Sequence, residues 1–255
     1  MKNLRSSGLF ITLIIIALAV HGQKKSDIAT RNPWLTAVVD AKQKEWGDSL
    51  PNFDSDTKFR YQISNDKDNI YLAIATSDKQ RIQNIISGGI SFFITTEGKK
   101  KDGQTVIFPV AIPRKANQKI TNPEQLVRQS LASAKAIQVI GFKEILDGNI
   151  SVNNDYGIKT TALLNSDGYY VYEAAIPLNR LNLTSNSSQE LSINIRLNIP
   201  DRPPHYSRVY ESPYEMQRRR RQGDYGAQQS RTVVSTTQPA GFWIKRTLAA
   251  PVLAK

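Results

Sequence analysis

Short runs that alternate apolar and polar residues, each closed by turn formers, constrain this chain more than any other feature. KFRYQIS (Lys58 to Ser64) sets Phe59, Tyr61 and Ile63 on one face. After the turn-forming NDKDN, NIYLAIATSD does the same with Ile70, Leu72 and Ile74. Successive side chains of a strand point to opposite faces, so a period of two marks a strand that buries one face. ISFFITT (Ile90 to Thr96) and TVIFPVAI (Thr105 to Ile112) follow, separated by the polar turn EGKKKDGQ. WLTAVV (Trp34 to Val39), AIQVIGF, YGIKTTALL, YYVYEAAI, LSINIRLNI, RTVVSTT and GFWIKRTLA read as further strands. Strands this short, spaced by turns, predict an all-β fold: an antiparallel two-sheet β-sandwich of the immunoglobulin or jelly-roll kind.

Two short helices are expected at its periphery. Asn122 is a good N-cap, Pro123 suits the first helical position, and Glu124 favours the positive helix end. PEQLVRQSLASAKA then offers Leu126, Val127, Leu131 and Ala134 as an apolar stripe. A shorter helix, Lys79 to Ile86, ends at Gly88 and Gly89. Neither helix alternates regularly with strands, which argues against a doubly wound α/β fold.

The N-terminus bears on the compartment. Lys2 and Arg5 precede an apolar run from Gly8 to Val20, too short for the roughly 20 residues a membrane-spanning helix needs. Val20 and Gly22 occupy the small-residue positions of a cleavage site before Gln23, the pattern of a secretory signal peptide. The organisation expected is a signal peptide at 1–22, a linker at 23–33 and one sandwich domain at 34–255. No transmembrane segment is expected after cleavage, and the protein is placed in the periplasm or outside the cell. The chain has no cysteine, so its core must hold without disulfides. Losing Lys2 and Arg5 leaves 32 basic residues against 22 acidic, a net charge of +10.

Between Pro200 and Ser230 the chain reads PDRPPHYSRVYESPYEMQRRRRQGDYGAQQS, rich in Pro, Arg, Tyr, Gln and Gly. It reads as an irregular insert projecting from the sandwich. Arg218, Arg219, Arg220 and Arg221 form a basic run whose partners outside the cytoplasm would be polyanions of the envelope, not nucleic acid. Tyr206, Tyr210, Tyr214 and Tyr225 interleave with these arginines and are candidate ligand-binding residues, weighed against a merely solvated loop.

The residue inventory excludes several chemistries. His205 is the only histidine left after signal cleavage, and there is no cysteine, so no thiol–histidine pair and no multi-histidine zinc site can form. Neither a nucleophile elbow nor a phosphate-binding glycine loop occurs. Paired carboxylates remain available for hydrolysis. Calcium is the one cofactor the acidic turns admit, with Asp66 and Asp68 as its candidate ligands. The competing reading is a tight Asn/Asp turn between two strands.

Several stretches together resemble exported bacterial proteins of the Bacteroidetes type that carry a carbohydrate-binding family 9-like domain, related to DOMON sandwiches. They are VVDAKQKEWGDS (Val38 to Ser49), QISNDKDNIYLAIATSD (Gln62 to Asp78), ISFFITTEGKK, YYVYEAAIPLNRL and GFWIKRTLA, covering roughly Asp40 to Leu248. The resemblance implies a sandwich of two antiparallel sheets, sugar binding between tryptophans, and structural calcium. Trp46 matches the motif near the first strand, with a packing role expected, and is retained as a ligand-binding candidate. A haem-binding branch would need Met and His ligands, and Met216 and His205 both lie on the insert.

The function expected is that of a secreted non-catalytic binding module, for a carbohydrate or an envelope glycoconjugate. The alternative is a structural or assembly protein of the envelope whose basic insert docks a partner or an anionic surface. A carboxylate-based hydrolase ranks third.

Overall fold

The computed structural model describes residues 33–47, 49–96, 103–110, 122–199 and 240–251. In chain order they form β1 (Asn52–Asp54), β2 (Phe59–Asn65), β3 (Asn69–Thr76), α1 (Lys79–Gly88), β4 (Ile90–Thr95), β5 (Gln104–Phe108) and α2 (Pro123–Ser133). Then come β6 (Ala136–Ile140), β7 (Gly148–Ser151), β8 (Lys159–Leu164), β9 (Tyr170–Pro177), β10 (Leu191–Leu197) and β11 (Ala240–Arg246). One sheet runs β1-β2-β3-β9-β8 and the other β11-β10-β4-β5-β6-β7. Every neighbouring pair of strands is antiparallel. This is the two-sheet sandwich that the alternating pattern predicts.

The inward faces are those the period of two assigns. Phe59, Tyr61 and Ile63 of β2 meet Ile70, Leu72 and Ile74 of β3, opposite Phe92, Ile94, Ile193 and Ile195 from the second sheet. The rings of Phe108 and Tyr172 stack across this core with centroids 6.3 Å apart, and those of Tyr61 and Phe242 lie 4.6 Å apart. Both helices sit at the periphery, α1 against α2 and β10, and α2 against β8. The Asn122 cap is as expected, accepting the N–H groups of Glu124 and Gln125, and Asp78 caps α1 by accepting the Arg81 N–H. No helix among the described residues is long and apolar enough to cross a membrane.

WLTAVV departs from expectation. Only Trp34 bridges to the sheet, in parallel with Asn65, and the rest is not a strand. The segment drapes over the outer face of β3 and β9, where Tyr71, Ala73, Ala75 and Ala175 would otherwise expose an apolar surface. Ala37, Trp46 and Leu50 cover that surface and form a second, smaller core. An apolar run covers a sheet as readily as it joins one, and periodicity does not separate the two.

Both ends of the described chain are tied to one residue. The Leu35 N–H donates to the Asn65 carbonyl at 2.9 Å, and the Asn65 N–H to the Pro33 carbonyl at 3.1 Å. The Asn65 side chain donates to the Ala249 carbonyl at 3.1 Å and accepts the Ala249 N–H at 2.8 Å. β1 and β7 are additional strands, too short to carry a readable period.

Candidate functional site

Inward packing of Leu191, Ile193, Ile195 and Leu197 turns Ser192, Asn194 and Arg196 outward from β10. The same parity turns Ser91 and Phe93 outward from β4, Thr105 from β5, and Gly241 and Trp243 from β11. The register aligns them in rows across the strands. Trp243, Asn194, Phe93 and Thr105 are successive cross-strand partners, and Gly241, Arg196 and Ser91 form the row beside them.

Side chains on one row stand about 5 Å apart and interact directly. Trp243 keeps 38% of its surface exposed and meets Phe93 edge to face, with ring centroids 5.6 Å apart at 78°. Asn194 lies between them and is nearly buried. Its Nδ2 donates to the Phe242 carbonyl at 2.8 Å, and among the described residues no donor reaches its Oδ1. Ser91 donates to the Asn198 side-chain oxygen at 3.0 Å.

These residues line a shallow depression of about 120 Å³, bounded by Ser91, Phe93, Thr105, Asn194, Arg196 and Trp243. It is well below the roughly 300–1,000 Å³ of an enclosed small-molecule pocket, so it can seat one ring against a platform. Two glycines shape it by close approach. A Cβ on Gly103 would lie 2.6 Å from the Phe93 ring, and one on Gly241 would lie 2.9 Å from the Ile195 carbonyl oxygen. The strands of this sheet contain no aspartate or glutamate.

The residues singled out from sequence lie elsewhere. Trp46 is 1% exposed in the second core, so it has the packing role expected of it and does not face a ligand, which corrects the ligand-binding reading. Asp66 Oδ1 accepts the N–H groups of Asp68 and Asn69, each at 2.8 Å, and its Oδ2 accepts the Tyr71 hydroxyl at 2.7 Å. Burial opposes ionisation of Asp66, but those donors outweigh it and hold the carboxyl below 3.8. Asp68 faces solvent beside Lys67. The geometry is that of a turn, and among the described residues no group of three or more metal-ligating side chains gathers. Tyr206, Tyr210, Tyr214, Tyr225 and Arg218 to Arg221 fall outside the described residues, as do Met216 and His205.

A second polar arrangement is structural. Glu173 is 1% exposed on the outer face of β9, beneath the N-terminal segment. Its Oε2 accepts the N–H of Asp40 at 2.9 Å and of Ala41 at 2.7 Å, and its Oε1 accepts that of Gln43 at 3.2 Å. Ala41 and Gln43 take left-handed backbone angles, φ 60° and 57°, which aim these N–H groups at one carboxylate. Burial pushes the Glu173 carboxyl above its ordinary 4.5, and the N–H donors pull against that rise.

Phe93, Asn194 and Arg196 were not distinguished by composition or motif, and Trp243, which reads from the sequence as a core residue of the last strand, is instead partly exposed on its outer face. The signal available was parity: in GFWIKRTLA, an inward Phe242 and Ile244 require an outward Trp243.

The sequence matches no protein-family model, and no curated protein matches it. Among solved structures, the chain is similar to a carbohydrate-binding module of family 9 from Caldicellulosiruptor kristjanssonii in complex with glucose. That likeness has 13% identity and a TM-score of 0.32, over 65% of this chain and 75% of the other. At that distance it assigns neither family nor ligand.

Proposed function

We propose that this protein is an exported, non-catalytic binding module that holds a saccharide, free or within an envelope glycoconjugate, on the outer face of its six-stranded sheet. The carrying observation is the cross-strand row Trp243, Asn194, Phe93 and Thr105, beside Arg196. An exposed indole face suits the C–H surface of a pyranose, and buried aromatic area dominates such contacts. Asn194 Oδ1, the Thr105 hydroxyl and the Arg196 guanidinium supply the hydrogen bonds that orient sugar hydroxyls. The described residues that line the depression, Ser91, Phe93, Thr105, Asn194, Arg196 and Trp243, are read as binding groups.

The test is a glycan array with the mature protein, followed by titration of the hits against Trp243→Ala and Phe93→Ala. Both variants should weaken binding at least tenfold, as expected when about 1.4 kcal/mol or more of stacking is lost. A flat array, together with salt-sensitive retention on anionic liposomes, would replace this reading with the envelope-assembly one.

A further inference from the structure

Charge on the outer sheet face narrows the ligand class. This inference rests on the saccharide reading and deepens it. The strands of the six-stranded sheet carry three cationic residues and no anionic one: Arg196, Lys245 and Arg246. Arg246 turns inward and donates to the Ile63 carbonyl at 2.6 Å, and Lys245 pairs with Glu190 at 2.7 Å. Arg196 is exposed at the edge of the depression, and among the described residues it has neither an ion pair nor a hydrogen bond. Among the described residues it is the one uncompensated charge on this face. Gly241, its cross-strand partner, has no side chain to cover it.

We infer that the face selects a saccharide carrying a carboxylate, with a uronate ring over Trp243 and Phe93 and its carboxylate on Arg196. A planar guanidinium presents a fork that matches a carboxylate bidentately. One guanidinium neutralises one charge, which fits a carboxylate monoanion better than a phosphate dianion. The two rows set the ring platform and the fork side by side, one row apart, as a hexuronate requires.

The experiment titrates the mature protein with galacturonate, glucuronate and mannuronate trisaccharides and with the carboxyl-reduced form of each, at one ionic strength. At least one acidic sugar should bind roughly tenfold tighter than its reduced partner, the range of a charge-assisted pair. Arg196→Gln should erase that gap, bringing the acidic sugar to the affinity of its reduced partner, and Arg196→Lys should retain part of it. Lys67→Gln, on a distant exposed turn, should leave the gap intact.

Equal affinity for acidic and reduced sugars, or a gap that survives Arg196→Gln, overturns the inference and leaves the saccharide reading standing. Tighter binding of a sulfated neutral trisaccharide also overturns it. Binding of none of these sugars overturns both.

Discussion

Replacing Glu173 with leucine removes the acceptor for three main-chain donors while nearly preserving side-chain volume. The Ala41 N–H is buried, and a buried donor left without an acceptor costs about 1–3 kcal/mol. The N–H groups of Asp40 and Gln43 are partly buried, so water recovers much of their bonding. The leucine also removes the cost of burying a carboxylate, which offsets part of the loss. The expected net destabilisation is about 3 kcal/mol.

Glutamine should cost less, about 1 kcal/mol. Its single oxygen can stand where Oε2 stands and still serve Asp40 and Ala41. Only the longest bond, 3.2 Å from Gln43, then faces an NH2 group. For a domain of this size each kcal/mol moves the melting temperature by about 2–4 °C, so losses of about 2–4 °C for glutamine and 6–12 °C for leucine are expected.

Thermal unfolding followed by circular dichroism gives the order. Acrylamide quenching in a Trp34→Phe, Trp243→Phe background reports whether the cover over Trp46 has loosened. Because the folded carboxyl lies above 4.5, the folded state binds the proton first. Wild type should therefore gain stability as pH falls from neutral toward 4.5, and the deficit of the glutamine variant should widen over that window. A leucine variant melting within about 1 °C of wild type, or above the glutamine variant, refutes the clamp.

The turn at Asp66 has the opposite sign. Its carboxyl lies below 3.8 in the folded state, so its contribution is complete above that pH and is lost as pH falls through the lower folded value. Asp66→Asn should lower neutral-pH stability by about 1–2 kcal/mol and flatten the acid limb, read from urea midpoints. The Tyr172 hydroxyl is buried with no partner among the described residues, and burial pushes its pKa well up. Tyr172→Phe should leave the melting temperature unchanged or raise it, and a loss above about 1 kcal/mol would show that the hydroxyl is bonded after all. Gly103→Ala would place a Cβ 2.4 Å from the Ile94 carbonyl oxygen and 2.6 Å from the Phe93 ring. It should cost about 1–3 kcal/mol and weaken saccharide binding by displacing that ring; unchanged affinity in titration would remove Phe93 from the site.

The inward half of the sandwich was legible because each inward residue repeats at every second position. Phe59, Tyr61 and Ile63 announce their face directly. The same parity assigned the outward residues too, but it says nothing about which of them converge. Trp243 meets Phe93 only because β10 stands between β11 and β4, and that neighbour order is a long-range outcome. Trp34 to Val39 misled for a related reason. Tyr71, Ala73 and Ala75 are apolar between inward Leu72 and Ile74, so β3 is buried on both faces and something must cover it. The cover is an apolar segment with left-handed turns at Ala41 and Gln43, which its composition does not announce. Glu173 reads as an outward charge in YYVYEAAI and becomes buried only when that cover closes over it.

The double attachment at Asn65 has a mechanical consequence. Force applied between Pro33 and Ala249 passes through one residue at the end of β2, not across the two sheets. Four hydrogen bonds carry the load at that point, and the ladders joining β2, β3 and β9 stay slack until they part. Stretched between these points, the molecule should yield first at low force by shedding its covering segment, while the sandwich itself remains intact.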